Sequence, residues 1–544
     1  MVRDLRRLAD TSFDLLVIGA GIYGSIAAWD AAARGLTVAL IDQGDFGGAT
    51  SANSLKTLHG GLRSLQAANL RQMRLYIRER RALARIAPHL VRPLRFVVPT
   101  YRRPGKSRSL FHVALALNDL IAADRNRGIE DPALRLPRGR VVSRDECLRL
   151  NPVIDPQGVT GGATWHDYQM RHGDRLNLAF VQSAVDAGAA VGNHLRAERF
   201  LLDGTRVAGA SVVDTIGGEA FDIRARAVLN AAGPWAASLL ATLPGGERGT
   251  PGPRLSRAVN LVVRRVTGEA GCGGLAEGRF LFLVPWRDVS MLGTSHDAYD
   301  GSPDRLGVTR WDVEAFLADA RLAFPLANLS GADVRLVHRG LLPMVSGEGA
   351  HVQLLRESTV IEHRRQGVGG LVSMFGVRYT TARQTAAHAV NAVFRLLGTR
   401  VPPACRTAET PVSGGAITNI GAFLRAVELR QIDGVPPETL LRLAAAYGTH
   451  YDRILALIRD TPALGRPLGE QCVITGAEVV HAVREEAAHT LADIVLRRTE
   501  AGSAGHPGAD ALATAACLAA PLLGWNAEQA ERQIADVERS YRWD

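Results

Sequence analysis

Residues 13–42 read FDLLVIGAGIYGSIAAWDAAARGLTVALID, and this stretch decides the fold of the chain. It opens with a short apolar run, residues 15–18, of the kind that forms a buried parallel strand. An alanine-rich segment at residues 26–33 predicts a helix, which ends at Arg34-Gly35. Residues 37–41 predict a second buried strand, so the stretch reads as a strand, a helix and a strand.

Three glycines, Gly19, Gly21 and Gly24, lie between the first strand and the helix in the pattern G-x-G-x-x-G. In such a motif the first glycine permits a tight turn, the second lets a pyrophosphate approach, and the third lets helix pack on strand. The helix N-terminus attracts phosphate, and Asp42 after the second strand can accept ribose hydroxyls. The alternative is a glycine-rich turn in another α/β domain. The full pattern favours a dinucleotide site for FAD or NAD, and the acid disfavours a ribose 2′-phosphate.

The composition is that of a globular protein with a net charge of +10. Its 544 residues are enough for two or three domains. A protein with net positive charge can bind nucleic acid, anionic lipid or anionic substrates. The basic residues are scattered, and no basic stripe is interleaved with aromatic residues. We therefore expect a solvated basic surface and no nucleic-acid partner.

The cysteines argue for a reducing compartment. There are five, an odd number without close spacing, which excludes a CxxC metal or redox motif. The first ten residues, MVRDLRRLAD, lack the apolar segment of a secretory signal, and no apolar run reaches membrane-spanning length. We expect a cytoplasmic protein and predict no metal site.

The rest of the chain adds further elements in order. Residues 44–65 are rich in Gly, Ser and Thr and predict a loop, and residues 67–87 predict a long arginine-rich helix. Residues 228–235, VLNAAGPW, predict a strand returning to the dinucleotide, and residues 368–375 predict another apolar strand. Beyond residue 402 the pattern becomes mostly helical, which indicates a separate domain.

Residues 109–123, SLFHVALALNDLIAA, repeat apolar side chains at helical spacing between basic flanks. Two interpretations stay open. The helix can lie on a membrane surface with its apolar face in the lipid. Alternatively, the same face is buried against the body of the protein.

These motifs together resemble a known family, the FAD-dependent glycerol-3-phosphate dehydrogenases of the quinone-linked respiratory type. The resemblance covers nearly the whole length. Its further carriers are ATSANSLKTLHGGLRSL (49–65), APHLVRPLRFVVP (87–99), NAAGPW (230–235), VPW (284–286), LGTSHDAYDG (292–301), FGVRYTTAR (375–383), CRTAETPVSGG (405–415) and AEVVHAVREEAAHTLADIVLRRT (477–499).

The resemblance implies an α/β fold. Residues 1–400 would form a FAD-binding Rossmann-type domain, like that of glutathione reductase, with an inserted antiparallel-sheet substrate domain. Residues 405–544 would form a C-terminal α-helical domain. The resemblance also implies FAD as cofactor, an anionic or polyol-phosphate substrate, and quinone as electron acceptor, with oxygen as an open alternative. Peripheral contact with the inner face of the cytoplasmic membrane and a homodimer are further expectations.

The resemblance assigns residues to the cofactor along the chain. The glycine motif and Asp42 would hold the dinucleotide, and three later groups would approach it or the flavin ring. The cofactor residues are Gly19, Gly21, Gly24, Asp42, Thr50, Ser51, Ser54, Lys56, His59, Ala232, Gly233, Trp235, Gly376, Tyr379 and Thr380.

The implied reaction is the oxidation of a secondary alcohol, glycerol 3-phosphate to dihydroxyacetone phosphate or a close analogue. Hydride passes to flavin N5, a base takes the hydroxyl proton, and arginines hold the phosphate. The catalytic candidates are Arg63, Arg378, His296 and Asn260, with His296 as a replacement base.

The sequence departs from the family pattern at the substrate end. Asn260 stands where the family has a histidine, Leu342 where it has an arginine, and Ser64 where it has a tyrosine. In FGVR, Val377 and Arg378 replace a glycine and a lysine. Losing the arginine removes a charge-assisted pair of about 1.5–3 kcal/mol. A related flavin dehydrogenase or oxidase for another hydroxy compound or amine, and a flavin-binding scaffold without activity, are therefore alternatives.

Overall fold

The computed structural model describes residues 1, 3–62, 68–103, 105, 107–244, 252–276, 279–348 and 351–543, without the side chains of 348 and 351. Its strands are, in chain order, β1 (Ser12–Ile18), β2 (Val38–Ile41), β3 (Thr57–Leu58), β4 (Val91–Tyr101), β5 (Arg140–Val142), β6 (Val159–Met170), β7 (Ala190–Gly192), β8 (Leu195–Asp203), β9 (Arg206–Asp214), β10 (Ala220–Asn230), β11 (Arg254–Arg264), β12 (Gly271–Ala276), β13 (Arg279–Trp286), β14 (Val289–Tyr299), β15 (Val334–Glu348), β16 (His351–Leu354), β17 (Thr359–Glu362), β18 (Leu371–Phe375), β19 (Pro467–Gly469) and β20 (Cys472–Thr475).

The α-helices of the same residues alternate with these strands and then dominate the C-terminal part. They are α1 (Leu5–Asp10), α2 (Ile22–Ala33), α3 (Leu70–Ile86), α4 (Arg108–Ile121), α5 (Arg144–Leu150), α6 (Gly173–Asp186), α7 (Ala236–Leu240), α8 (Arg310–Ala323), α9 (Ala382–Leu396), α10 (Ile420–Glu428), α11 (Pro437–Tyr447), α12 (Tyr451–Asp460), α13 (Gly476–Glu485), α14 (Ala509–Leu523) and α15 (Ala527–Arg539).

The first sheet contains the nucleotide-binding unit expected from residues 13–42. Its strands run in the order β17-β18-β10-β1-β2-β7, with β9 joining β8 to β10. Strand β1 pairs in parallel with both β2 and β10, so Ile18 lies between Ile41 and Asn230. The helix after β1 begins at Ile22, four residues earlier than predicted, because Gly21 has an extended backbone and acts as its N-cap.

The second sheet is the inserted, mainly antiparallel sheet that the resemblance implies. Its order is β16-β15-β11-β14-β13-β12-β4-β6-β3, with β5 also on β6. The short strand β3 pairs with β6, so Leu58 lies opposite Tyr168. This pairing brings the residues after β3 beside the residues before Tyr168, although more than 100 positions separate them in the chain.

Helices α10–α15 form the C-terminal part around two apolar cores, together with the hairpin β19–β20. The predicted long helix is present as α3, which begins at Leu70. The expected start at residue 67 lies outside the described residues, and Asn69 caps the helix by accepting a hydrogen bond from the Gln72 amide.

Helix α4 answers the question left open for residues 109–123. Leu115 is its one buried residue. By contrast, Leu110, Val113, Leu117 and Leu120 are 48%, 65%, 42% and 73% exposed. The apolar face is therefore turned outward, which contradicts the interpretation as a buried helix. Within the described part of the chain, no helix is both long and apolar enough to cross a bilayer.

Candidate active site

A large cavity of about 2570 Å³ is lined by residues from both sheets and from the C-terminal part. It brings together most of the residues predicted for the site, from distant parts of the chain. Among those described, only Gly24 and Lys56 do not line it, and Arg63 and Ser64 lie outside the described residues. The lining includes Gly19, Gly21, Asp42, Thr50, Ser51, Ser54, His59, Ala232, Gly233, Trp235, Asn260, His296, Leu342, Gly376, Arg378, Tyr379 and Thr380.

The three glycines of the motif fit the tasks expected of them. A Cβ atom on Gly19 would lie 2.5 Å from the Ala231 carbonyl oxygen, and one on Gly24 would lie 1.8 Å from the Gly19 carbonyl oxygen. Gly19 also has a φ of 101°, which favours glycine. A Cβ on Gly21 would meet only the Ser51 hydroxyl, at 3.1 Å, so that backbone stays open to the cavity. The geometry fits a pyrophosphate at this turn.

Two side chains bind the free amides around this turn. The Ser51 hydroxyl accepts a hydrogen bond from the Ile22 amide at the start of α2, at 2.9 Å. The Asp42 carboxylate accepts from the amides of Ala20 and Gly44, at 2.7 and 3.0 Å. Burial raises the pKa of Asp42 despite these bonds. Both polar groups therefore stand where a nucleotide would bind.

Tyr23, a motif residue that sequence analysis did not single out, ties the motif to the segment after β18. Its hydroxyl donates to the Arg378 carbonyl at 2.8 Å and accepts from the amides of Val377 and Arg378. A Cβ on Gly376 would lie 2.0 Å from the Tyr23 ring, so the strand end needs glycine there. In the sequence, only the position of this tyrosine within the glycine motif, in the pattern I-Y-G, could have indicated its role.

Asn260 is used to position the loop at residues 50–56. Its Oδ1 accepts a hydrogen bond from the Thr294 hydroxyl at 2.8 Å, and its Nδ2 donates to the Asn53 carbonyl at 3.4 Å. The loop is further pinned by Thr50, whose hydroxyl bonds both the amide and the carbonyl of Leu341 at 3.1 Å. With both ends of its amide engaged, Asn260 has the geometry of a positioning residue.

Lys56 does not line the cavity, and its expected position in the loop against the flavin stays a prediction. Its backbone has a φ of 56°, and the side chain turns into the protein. The ammonium bonds the Ala52 carbonyl, lies 3.6 Å from Asp174, and stands over the Trp286 ring. Burial lowers the pKa of Lys56, while Asp174 opposes that shift. Lys56 thus braces the loop from behind.

His59 and Asp167 form a pair that the sequence did not reveal. The His59 Nδ1 lies 3.5 Å from the Asp167 Oδ2, and the His59 side chain is 42% exposed to the cavity. Asp167 is buried and also accepts hydrogen bonds from the Gly60 amide and from Arg80. Burial opposes ionisation, yet His59 and Arg80 hold the pKa of Asp167 below its usual value. A charged carboxylate thus lies beside Nδ1 of a histidine that lines the cavity.

His296, the histidine proposed from sequence as a base, has a less suitable environment. Its Nδ1 lies 3.4 Å from the Ser256 hydroxyl. Burial lowers the pKa of His296 to about 4, which makes it a weak base at neutral pH.

Arg378 places a cation at the cavity wall. Its guanidinium bonds the Tyr76 hydroxyl and stands 5.5 Å from the centre of that ring. A Cβ on Gly61 would lie 2.7 Å from the same tyrosine. Arg378 is therefore close to the turn that precedes Arg63.

The remaining predicted residues take simple positions on the wall. The Trp235 indole donates to Asp304 at 2.7 Å, and the Tyr379 hydroxyl donates to the Gly173 carbonyl at 3.3 Å. Thr380 is buried, and Gly233 has a φ of 55° beside Ala232.

The C-terminal part reaches the cavity through a buried ion-pair network that sequence analysis missed. Ligand atoms of Asp45, His194 and Asp493 lie within 4.8 Å of one another, as a metal site would require. However, Arg497 binds both carboxylates and Arg498 binds Asp45 through two hydrogen bonds of 2.6 Å. These arginines supply the positive charge, so the cluster is complete as an ion-pair network.

Comparison with known proteins agrees with this geometry. The family model for FAD dependent oxidoreductases matches residues 14–392, and the model for the C-terminal domain of alpha-glycerophosphate oxidase matches residues 405–530. The fold and the cavity thus define a FAD-dependent oxidoreductase.

Named relatives narrow the class. A glycerol-3-phosphate dehydrogenase of Synechocystis is 30% identical, covering 98% of this chain and 97% of the relative. An alpha-glycerophosphate oxidase of Streptococcus pyogenes is 28% identical, covering 91% and 90%. The crystal structure of the glycerol-3-phosphate dehydrogenase from Bacillus halodurans with FAD superposes with a TM-score of 0.76 at 23% identity, covering 98% of this chain and 96% of the other. The chain belongs to the FAD-dependent glycerol-3-phosphate dehydrogenase family, and its cofactor is FAD.

Proposed function

We propose that this enzyme oxidises the secondary alcohol of glycerol 3-phosphate, or of a close polyol phosphate, to the ketone. When bound, FAD supplies the two-electron acceptor, taking hydride at flavin N5. The observation that carries the proposal is the His59–Asp167 pair, which presents an oriented base to the same cavity that the glycine motif lines.

His59 takes the hydroxyl proton in this scheme. In this scheme Asp167, 3.5 Å from Nδ1, accepts the Nδ1 proton, and Nε2 is the acceptor for the substrate proton. As the carbon–hydrogen bond breaks, the proton moves from the substrate oxygen to Nε2, and the anionic Asp167 stabilises the resulting imidazolium. A positioned base of this kind contributes about 10²–10⁴-fold to a rate.

The cofactor would be held along the wall described above. Gly21 and the amides at the start of α2 suit the pyrophosphate, with Ser51 beside them. Asp42 suits the ribose. The groups around Gly233 and Tyr379 suit the flavin end, in line with the resemblance.

The substrate phosphate would be held by arginines. Arg378 is described at the wall, and Arg63 stays a prediction from the sequence because it lies outside the described residues. A planar guanidinium can bind two phosphate oxygens at once. Leu342 lines the cavity where the family has an additional arginine.

That leucine supports a second candidate, oxidation of another hydroxy compound or an amine by the same flavin. Leu342 removes a phosphate ligand, and Asn260 is engaged by Thr294 and Asn53 rather than by a substrate. Both changes lie at the substrate end and leave the glycine motif intact.

The reduced cofactor would pass its electrons to quinone or oxygen. The outward apolar face of α4 supports contact with the membrane, where quinone resides. Such contact would place the enzyme on the inner face of the cytoplasmic membrane. The oxidase of Streptococcus pyogenes among the relatives keeps oxygen as the alternative acceptor.

Anaerobic bleaching of the purified yellow protein tests the proposal. We expect glycerol 3-phosphate or a related polyol phosphate to reduce the flavin faster than glycerol, hydroxy acids or amines at equal concentration. Reduction by an amine and not by any polyol phosphate would establish the second candidate and overturn the first.

A further inference from the structure

An apolar path leads away from His59 along the cavity wall. The His59 ring lies 5.7 Å from Phe282, and Phe282 lies 5.0 Å from Phe280 in an edge-to-face contact. All three residues line the cavity. The wall next to the proposed base is thus aromatic, although the proposed substrate is small, polar and charged.

One glycine of β12, Gly273, borders this path. A Cβ on Gly273 would lie 2.2 Å from the Phe280 ring, and one on Gly274 would lie 2.8 Å from the Phe324 ring. Gly273, Gly274 and Phe324 also line the cavity. Successive residues of a strand face opposite sides of the sheet, so Phe280 lies on the side of Gly273 and Phe282, whereas Phe324 lies on the other side, where α8 ends.

The path ends at exposed leucines. Leu275 and Leu322 are 51% and 59% exposed and line the cavity, as does Leu110 of α4 at 48%. Large apolar side chains at the rim of a cavity are typical of sites that admit apolar ligands. Leu275 lies opposite Phe280 in the pairing of β12 with β13, so the aromatic wall beside His59 extends to an exposed leucine.

We propose that the natural substrate carries an apolar chain, with its polar head at His59 and its chain along Phe282 and Phe280 toward Leu275. This inference rests on the proposed function. A 1-alkyl ether of glycerol 3-phosphate has the required chemistry, because its secondary hydroxyl is free. Its oxidation breaks the carbon–hydrogen and oxygen–hydrogen bonds at C2, gives the hydride to FAD and the proton to His59, and leaves the 1-alkyl ketone.

A chain-length series on the holoenzyme tests this. Non-reacting 2-deoxy analogues, with no alkyl group or with butyl or octyl ethers, are titrated by calorimetry, and the reactive compounds are compared by anaerobic flavin reduction. Each methylene that enters an apolar site strengthens binding about threefold to fourfold. We expect the octyl compound to bind at least a hundredfold more tightly than the unsubstituted one, with a parallel fall in the half-saturating concentration for reduction.

A rim variant localises the effect. Leu275→Glu changes an exposed side chain beside Phe280, so folding is preserved, and it should weaken octyl binding at least tenfold while leaving the unsubstituted analogue unchanged. Leu326→Glu is the matched control, because Leu326 is 53% exposed on the turn after α8 but does not line the cavity.

Three results separate the ideas. Equal binding of octyl and unsubstituted analogues, with both reactive compounds reducing the flavin, would overturn the inference and leave the proposed function standing. Reduction by neither would overturn the proposed function itself. If the rim variant slows only the reoxidation of the reduced flavin by a prenyl quinone, the apolar path binds the electron acceptor. That result would contradict the assignment of the path to the substrate.

Discussion

The Asp45 carboxylate accepts two hydrogen bonds of 2.6 Å from the Arg498 guanidinium, and both side chains are buried. Asp45 lies three residues after Asp42 in the nucleotide-binding unit, whereas Arg498 follows α13 in the C-terminal part. Asn193 and Arg497 complete the surroundings of the carboxylate. The C-terminal part thereby fixes the loop that follows Asp42, the residue proposed to bind the ribose.

Arg498→Met should loosen the cofactor. Breaking a buried ion pair by removing one partner costs about 3–5 kcal/mol, and here Arg497 still binds the Asp45 carboxylate, so we expect a cost at or below the lower end of that range. We expect lower FAD content after purification and release of FAD at lower temperature, followed by flavin fluorescence on heating. Arg532→Met is the control, because Arg532 pairs with Glu528 at the surface. Unchanged FAD retention in Arg498→Met would show that the network is not needed for the cofactor.

The nucleotide-binding unit could be predicted from sequence because its determinants are local. Gly19, Gly21 and Gly24 act within one turn of chain, and apolar runs identify the flanking strands. The His59–Asp167 pair depends instead on the pairing of β3 with β6. No local sequence pattern predicts which residues of β3 and β6 pair. The proximity of His59 to Asp167 could therefore be recognised only in the folded chain.

The direction of the Lys56 side chain could not be predicted from the sequence for a different reason. Lys56 is assigned to the cofactor only because it belongs to the loop at residues 44–65. The direction in which a side chain points depends on the local backbone conformation, which the sequence does not show. A φ of 56° just before β3 turns the lysine toward Asp174 and Trp286. Whether the apolar face of α4 is exposed or buried could not be predicted either. Amphipathic spacing predicts that a helix has an apolar face but does not predict what covers that face.

Acid should destabilise the fold through buried histidines such as His338. Burial, with the nearby Lys56 charge, lowers the pKa of His338 to about 3, against 6.5 for an exposed histidine. Below pH 6.5 the His338 side chain is protonated in the unfolded chain but stays neutral in the folded chain. The free energy of unfolding is therefore at its full value above pH 6.5 and decreases as the pH falls toward 3. The slope is about 1.4 kcal/mol per pH unit for one such group.

The measurement is the thermal unfolding midpoint of wild type and His338→Asn between pH 7.5 and 5. We expect the midpoint to fall more steeply with acid in wild type. Parallel curves would show that His338 titrates alike in the folded and unfolded chains.

Membrane contact through α4 can be tested with Val113→Glu combined with Leu120→Glu. Both side chains are exposed and neither lines the cavity. Because carboxylates resist transfer into lipid, flotation with anionic liposomes should drop at least several-fold at low salt. Leu429→Glu, at an 84% exposed position elsewhere, should float like wild type. Equal flotation of all three proteins would place the contact on another surface.

Arg378→Gln should weaken the substrate site while sparing the cofactor. Loss of one charge-assisted contact of about 1.4 kcal/mol or more lowers affinity or rate at least tenfold. FAD content should be unchanged, and Arg378→Lys should recover part of the loss by keeping the charge. Arg63→Ala should behave similarly. Normal flavin reduction in Arg378→Gln at low substrate would remove this arginine from the substrate site.

The most direct test of the account is the rate of anaerobic flavin reduction by glycerol 3-phosphate in wild type, His59→Gln and Asp167→Asn, measured across pH. With FAD content equal, His59→Gln should reduce at least a hundredfold more slowly and lose the pH dependence of the wild type, because glutamine cannot accept the proton. Asp167→Asn should be intermediate and keep a pH dependence. A wild-type rate and pH profile in His59→Gln would contradict the assignment of His59 as the base and, with it, the central claim.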